Sequence, residues 1–191
     1  MARIISKYHY IPIIDAGIKA SGEAYEEGLR QGLYVMDGRG KEPFVGRMWP
    51  GLCTYPDFHH PNGSAFWIKQ LQRLYNKVQF SGVWLDENEP SNRCNGPCTA
   101  PTEPSTFDYP KDLPYQPGAD GIEMGTISLN STHYGGLVHA DVHAFAAFLE
   151  TVSTYSFLQQ QSELPFIITR SGTIGSSKYG FHWTGDNLAT W

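Results

Sequence analysis

Residues 80–98, FSGVWLDENEPSNRCNGPC, begin as a strand and end as a loop. Trp84 and Asp86 alternate with apolar neighbours, and this period of two predicts that both lie on one face of a strand. The Asn-Glu-Pro that follows stops strand pairing, so an acid stands at the carboxyl end of a short apolar strand. In α/β proteins, active sites are built at that position.

Charged side chains also stand at or after the ends of three other predicted strands. Residues 9–15 end at Asp15, residues 164–169 are followed by Arg170, and residues 180–184 lead into Asp186. Because parallel strands meet at one edge of a sheet, these side chains are expected at the same edge as Asp86.

Two predicted helices, residues 64–78 and 141–160, carry apolar side chains at helical spacing between these strands. Strand and helix in this order are typical of a parallel α/β barrel. We count about four barrel strands, whereas a complete barrel has eight in roughly 250 residues. The sequence therefore predicts the α/β class, as an incomplete (β/α)8 TIM barrel with long strand-end loops at residues 45–61 and 91–138.

The composition limits the partners. A net charge of −5 argues against nucleic acid or an anionic membrane surface as a partner. No apolar run is long enough to span a bilayer, so no membrane segment is expected. Aromatic residues make up 14% of the chain and suit surfaces that bind sugar rings.

Two acids with tryptophan neighbours indicate glycoside cleavage. Asp86 follows Trp84 by two residues, and Asp186 follows Trp183 by three. One acid protonates the leaving oxygen, the other attacks or activates water, and aromatic faces hold the sugar ring. Arg170 would keep one of the two carboxylates ionised. A capping or solvated role remains the alternative for any single aspartate at a strand end.

A histidine cluster gives a rival interpretation. His139 and His143 are spaced i, i+4 and could bind a metal on a helix, with His133 close by in the sequence. The glutamate of the metalloprotease arrangement is missing, and such histidines more often hydrogen-bond backbone at a helix entry.

The cysteines and two glycosylation tripeptides bear on the compartment. Of Cys53, Cys94 and Cys98, the last two could bridge a tight loop or remain two free thiols. Asn62 and Asn130 each begin an N-glycosylation tripeptide, which fits a secretory or lysosomal protein.

Four blocks of sequence resemble glycoside hydrolase family 31, in the maltase and lysosomal acid α-glucosidase branch. GVWLDENEPSN resembles the nucleophile signature, and PFIITRSGTIGSSKYGFHWTGDNLATW the acid/base segment. IPIIDAGI followed by VGRMWPGLCTYPDF resembles the strand and loop that line the sugar subsite. LPYQPG with THYGGLVHADVHAF resembles the connecting region of that branch.

The resemblance implies a role for each matching residue. Asp86 corresponds to the catalytic nucleophile, Asp186 to the general acid/base, and Asp15 to the acid that holds sugar hydroxyls. Arg170 corresponds to the arginine beside the nucleophile. The aromatic wall of the subsite would be Trp49, Trp84 and Trp183. The family uses no metal or other cofactor, so the histidines would be structural.

One position departs from the signature. Glu87 stands where methionine is usual, and it adds a charge next to Asp86. Strand alternation predicts that its side chain points away from Asp86.

The expected activity is a retaining α-glucosidase that uses double displacement on maltose-like oligosaccharides or starch and glycogen fragments. Its carboxyl groups should lie roughly 5–5.5 Å apart, with Asp186 partly desolvated. Residues 1–191 would be part of the catalytic barrel. An N-terminal β-sandwich, the remaining strands and the C-terminal domains would belong to the rest of the parent chain. The alternatives are an inactive fragment or homologue that only binds carbohydrate, and another family activity such as α-xylosidase. The compartment would be lysosomal, vacuolar or extracellular, and Cys94–Cys98 would be a loop disulfide.

Overall fold

The computed structural model describes residues 8–98 and 125–188. Its strands are β1 (Ile13–Asp15), β2 (Ile18–Lys19), β3 (Gly46–Met48), β4 (Gly51–Thr54), β5 (Gly82–Asp86), β6 (Phe166–Thr169) and β7 (Phe181–His182). Its helices are α1 (Glu23–Gln31), α2 (Gly63–Lys77), α3 (His139–Val142) and α4 (Ala146–Leu158). The LPYQPG block lies outside the described residues.

The chain divides into two compact units. Unit 1 consists of Met1–Ala16, Ser64–Glu89 and Ala144–Trp191, and unit 2 consists of Gly17–Gly63 and Pro90–His143. Each unit contains its own sheet, and each is described by itself.

Unit 1 is built on a parallel sheet of four strands in the order β1-β5-β6-β7. Helix α4 packs on β5 and β6, and α2 is tied to α4 by a hydrogen bond from Trp67 Nε1 to Thr154 Oγ1 of 2.8 Å. Strands β5 and β6 approach closely because Gly82 has no side chain: a Cβ there would lie 2.6 Å from the Phe166 carbonyl oxygen. The predicted α/β class and incomplete barrel are confirmed.

The two faces of this sheet differ in burial. On one face the side chains of Val83, Leu85 and Ile167 are fully buried. On the other face, one row in register across the four strands is made of Ile13, Trp84, Ile168 and Phe181. Three of its members, Ile13, Trp84 and Phe181, are substantially exposed.

Unit 2 contains an antiparallel sheet of three strands in the order β2-β4-β3. Its buried core consists of Val35, Phe44, Met48, Cys53, Tyr55 and Ile127. The prediction of an ordered loop at residues 45–61 was wrong in part, because β3 and β4 form a hairpin there. Gly51, at φ 93°, supplies the left-handed turn residue, and the aromatic and proline content of the segment hid the short strands.

The second predicted helix is interrupted. It begins at His139 as α3, passes through a 3₁₀ turn at His143–Phe145, and continues as α4. None of the helices within residues 8–98 and 125–188 combines the length and the apolar character that a membrane crossing requires.

Candidate active site

The sequence-predicted acids Asp15 and Asp86 lie side by side at the carboxyl edge of the parallel sheet. They are the last residues of β1 and β5 and are paired in register. Residues in register on neighbouring parallel strands point to the same face, with strands about 4.8 Å apart. The Arg170 amide continues the ladder from β6 by donating to the Leu85 carbonyl oxygen at 3.1 Å. Three strands thus deliver two acids and an arginine to one edge.

Arg170 is the cation of this edge. Its Nη1 lies 3.0 Å from Asp86 Oδ1, while Nε and Nη2 each donate to a different oxygen of Glu89 at 2.9 Å. The side chains of Arg170 and Asp86 are only 21% and 12% exposed. The hydrogen bonds to Glu89, and then the charges of Glu89 and Asp86, raise the pKa of Arg170. The guanidinium therefore stays charged and is held in a two-point fork while its third nitrogen faces Asp86.

The backbone turns sharply after Asp86. Strand β5 ends there, and Glu87 adopts φ 50°, in the left-handed region that a residue with a side chain seldom occupies. Its amide donates to Asp86 Oδ1 at 2.8 Å. The side-chain alternation that predicts Glu87 to point away from Asp86 does not apply, because the strand ends at Asp86 and does not extend to Glu87. Its charge also contributes to raising the pKa of Arg170.

Asn88 ties this turn to β6. It is 1% exposed, its Nδ2 donates to Thr169 Oγ1 at 2.8 Å, and its Oδ1 accepts from the Ser171 amide at 3.0 Å. Because both partners flank Arg170, Asn88 couples the end of β5 to the end of β6.

The loop that carries Asp186 passes over the Arg170 side chain. A Cβ on Gly185 would lie 3.2 Å from Arg170 Cδ, and Gly185 has φ 82°. Asp186 itself is exposed, contrary to the expected partial desolvation. The neighbouring Leu188 is also 82% exposed, so the loop lacks a packed cover in the described residues. The separation of the two carboxyl groups stays a prediction.

The three predicted subsite tryptophans fall in both units. Trp84 and Trp183 meet edge to face in unit 1, with ring centroids 5.4 Å apart and an angle of 82° between their planes. Trp49 belongs to unit 2, is 70% exposed, and has the Arg93 guanidinium 4.0 Å from its ring centroid. Unit 1 thus pairs an aromatic surface with the carboxylate edge.

An open cavity of about 590 Å³ also lies in unit 1. The turn that follows β6 and the start of β7 line it, and Asp86 and Asp186 are not among its lining residues. The cavity therefore adjoins the strand ends without containing the predicted catalytic pair.

Sequence reasoning missed three residues that organise this edge: Asn88, Glu89 and Glu150. The first two could have been found, because they follow Asp86 directly and are polar where a strand ends. Glu150 lies on the apolar stretch of α4 and is 1% exposed. Its sequence position carries no indication of proximity to Asn88.

The histidine cluster forms a hydrogen-bonded chain in unit 2. Asp57 Oδ1 lies 2.8 Å from His133 Nδ1, His133 Nε2 lies 3.0 Å from His139 Nδ1, and His139 Nε2 lies 3.0 Å from His143 Nδ1. Burial, followed by the neighbouring histidines, lowers the pKa of His139 to about 2. His139 is therefore neutral and acts as a donor through one nitrogen and an acceptor through the other.

The same chain is anchored by an ionised acid. Burial alone would raise the pKa of Asp57, but the hydrogen bonds from His133 and from the amides of Tyr134 and His59 lower it below its ordinary value. Each histidine nitrogen between Asp57 and His143 thus has a protein partner. Within residues 8–98 and 125–188, no group of three or more metal-binding side chains could hold an ion.

The structure joins Cys94 and Cys98 in a disulfide, with Cα atoms 5.6 Å apart. Of the two glycosylation tripeptides, Asn62 is exposed, whereas the Asn130 side chain packs against Gly38. A Cβ on Gly38 would lie 2.5 Å from Asn130, so Asn62 is the more accessible acceptor.

A parallel sheet with carboxylates and an arginine at its carboxyl edge, and tryptophans beside them, has the features expected of the barrel domain of a glycoside hydrolase. The sequence profile described as "Glycosyl hydrolases family 31 TIM-barrel domain" matches residues 1–191, and the chain belongs to this family. The resemblance stated from the sequence is confirmed.

Relatives in this family carry different names. The chain is 35% identical to "Alpha-xylosidase 1" of Arabidopsis thaliana over 95% of its length, and 34% identical to "Lysosomal alpha-glucosidase" of Bos taurus over 95%. Among solved structures, it resembles a Tris-bound glucosidase II alpha subunit with a TM-score of 0.72 and 27% identity over 96% of the chain. The chain spans 22% and 20% of the two curated relatives and 18% of the solved chain.

Proposed function

We propose that this chain supplies the catalytic edge of a retaining α-glucosidase that acts on maltose-like oligosaccharides or starch and glycogen fragments. The observation that carries the proposal is the Asp86–Arg170 ion pair, with Asp15 in register beside it. The Gly185–Asp186 loop lies against the same arginine. A nucleophile, its counter-ion and a proton donor on a neighbouring loop are what double displacement needs.

The first step forms a covalent glycosyl-enzyme. An Asp86 oxygen bonds to the anomeric carbon, the glycosidic carbon–oxygen bond breaks, and the Asp186 proton passes to the leaving oxygen. In the second step Asp186 takes a proton from water, the water oxygen bonds to the anomeric carbon, and Asp86 is released. Two inversions return the original anomeric configuration.

The surroundings of Asp86 suit its proposed role as the nucleophile. Asp86 is nearly buried, and its carboxylate is paired with a guanidinium that is itself held by Glu89. Asp15 offers a second carboxylate on the same face for sugar hydroxyls. Trp84 and Trp183 provide ring surfaces next to this edge.

The test separates nucleophile from acid/base. Asp86→Asn should lower hydrolysis of an aryl α-glucoside by a factor on the order of 10⁴. Asp186→Ala should be partly rescued by azide, with an α-glucosyl azide as product, because a small anion needs no proton removed. A matched variant at an exposed acid, Asp141→Asn, should retain activity. Equal activity of Asp86→Asn and the unsubstituted protein would overturn the proposal. Inactivity of every variant and of the unsubstituted protein would favour a chain that only binds carbohydrate.

A second candidate activity is α-xylosidase, favoured by the 35% identity to "Alpha-xylosidase 1" of Arabidopsis thaliana. A xyloside lacks the hydroxymethyl group of a glucoside, so the side chains that receive this group in the intact site would decide between the two substrates. The ratio of kcat/KM for aryl α-glucoside and aryl α-xyloside measures that choice. A ratio above one supports the glucosidase proposal.

We also propose a parent chain with further barrel strands and flanking domains, located in the secretory pathway, a lysosome or vacuole, or outside the cell. Three observations support the compartment: the Cys94–Cys98 disulfide, the exposed Asn62 tripeptide, and a relative named lysosomal. Mass spectrometry of the protein from its native source would detect a glycan on Asn62 and the parent's additional peptides.

A further inference from the structure

Helix α4 buries an acid that the proposed mechanism does not use. Glu150 is 1% exposed, and α4 packs on β5 and β6. Within the described part of the chain, neither of its carboxyl oxygens has a hydrogen-bond partner of standard geometry. A carboxylate in such a place would be desolvated without the donors or cation that normally compensate it.

The charged groups that face Glu150 make ionisation still less favourable. Burial, opposed in part by the Asn88 amide and reinforced by the charges of Asp15 and Glu89, raises the pKa of Glu150 to about 8. Both of the charged neighbours are acids. Arg170, which could have neutralised a further acid, is already shared between Asp86 and Glu89.

Asn88 has unused hydrogen-bonding capacity toward a neutral acid. Its Oδ1 accepts once, from Ser171, and its Nδ2 donates once, to Thr169. An amide oxygen has a second lone pair and an amide nitrogen a second hydrogen. A protonated carboxyl group offers one donor and one acceptor. It therefore complements the second lone pair of Asn88 Oδ1 and the second hydrogen of Asn88 Nδ2. A carboxylate offers acceptors only and would draw the amide toward itself.

We propose that Glu150 keeps its proton in the folded protein and, as a neutral acid next to Asn88, is a positioning residue for the turn that carries Asp86 and Glu89. The positioning role rests on the proposed function, whereas the protonation of Glu150 does not. Ionised Glu150 would add a negative charge beside Asp15 and Glu89, and as an acceptor it would compete with Thr169 Oγ1 for the hydrogens of Asn88 Nδ2.

The first experiment follows carboxyl groups directly in the full 191-residue chain. With ¹³C-labelled glutamate, NMR should show one side-chain carboxyl that is still protonated at about pH 6.5, two units above an ordinary glutamate. Glu150→Gln should remove that signal, and Glu163→Gln, at an exposed glutamate, should leave it unchanged. If every glutamate carboxyl titrates near about pH 4.5, the proposal is overturned, even if the variant fails to fold, because the parent alone gives that result.

The second experiment tests positioning without substrate. The side-chain amide signals of Asn88 should shift in step with the Glu150 titration in the parent and stay constant over the same range in Glu150→Gln. An Asn88 amide that does not respond in the parent overturns the positioning role. Absence of glycosidase activity would contradict the proposed function alone, since neither measurement depends on turnover.

Discussion

Two buried carboxyl groups, one in each unit, have pKa values shifted in opposite directions. Asp57 in unit 2 is 3% exposed and Glu150 in unit 1 is 1% exposed. The pKa of Asp57 lies below its ordinary value, whereas burial raises the pKa of Glu150 to about 8. Asp57 accepts from His133 at 2.8 Å and from the backbone amides of His59 and Tyr134. The supply of donors, and not the depth of burial, decides whether a buried acid is charged.

Glu150 in unit 1 and His139 in unit 2 give opposite dependences of folding stability on pH. The unfolded chain releases the Glu150 proton near pH 4.5, but the folded protein keeps it until about pH 8, so this group makes stability fall as pH rises through that window. His139 in unit 2 has its pKa lowered from 6.5 to about 2, so it makes stability fall as pH drops below about 6.5. Between about pH 4.5 and 6.5 the two one-proton effects oppose each other. We expect little net change in stability across that mildly acidic range from this pair.

The largest expected effect on stability comes from neutralising Asp57, the charged one of the two buried acids. In Asp57→Asn an amide nitrogen replaces an oxygen that accepts N–H groups, so a donor faces a donor at the end of the histidine chain. Removing one partner of a buried ion-pair or hydrogen-bond network costs about 3–5 kcal/mol. Urea unfolding at about pH 7 measures this loss.

The exposed Asp141→Asn is the control for the loss of charge in the same unit and should change the free energy of unfolding by less than about 0.5 kcal/mol. Equal stabilities of Asp57→Asn and the parent would show that Asp57 does not depend on its donors. Glu150→Gln is expected to leave stability unchanged or to raise it at that pH. If Asp57→Asn did the same, the two buried acids would no longer differ.

The next largest effect is expected from removing His139, which opposes Glu150 in the pH dependence of stability. In His139→Phe the group that resists protonation is gone, so the slope that favours higher pH should decrease by up to about 1.4 kcal/mol per pH unit between about pH 4.5 and 6.5. The Glu150 effect should then be unmasked, and the stability of the variant should fall as pH rises. Urea unfolding at a series of pH values measures both slopes. His9→Phe, at an exposed histidine, should keep the parent's flat profile, and a flat profile in His139→Phe would contradict the assigned opposition.

The sequence predicted the residues at the strand ends better than the residues buried behind them. Asp15, Asp86 and Arg170 are at or directly after the ends of apolar strands, and parallel pairing places such ends together. Local periodicity is enough for that inference. The hairpin of β3 and β4 was missed because strands of three and four residues are too short to establish a period of two.

Glu150 and the chain from Asp57 to His143 depend on contacts between residues far apart in the sequence. Asp57 and His133 are 76 positions apart, and no local pattern links them. The pair His139 and His143 was visible as an i, i+4 spacing, which equally allows a metal site and a hydrogen-bonded chain. Only the positions of the ring nitrogens show that both nitrogens of His139 have histidine partners.

The smallest expected effect tests whether the strand-end edge is independent of Glu150 and His139, the two groups to which the pH slopes are assigned. Gly185 has φ 82°, and a Cβ there would lie 3.2 Å from Arg170 Cδ, so Gly185→Ala strains the loop and presses on the arginine. We expect a loss of about 1–2 kcal/mol in the free energy of unfolding. Gly125→Ala, at another positive-φ glycine where an added Cβ would have nothing within 4 Å, controls for backbone strain alone. Because the nearest atoms to the added methyl group belong to Arg170 and not to Glu150 or His139, both pH slopes should match the parent's. A changed slope in Gly185→Ala would mean that Arg170 transmits strain to Glu150 through Glu89 and Asn88. The strand-end edge and the buried Glu150 would then form one coupled network.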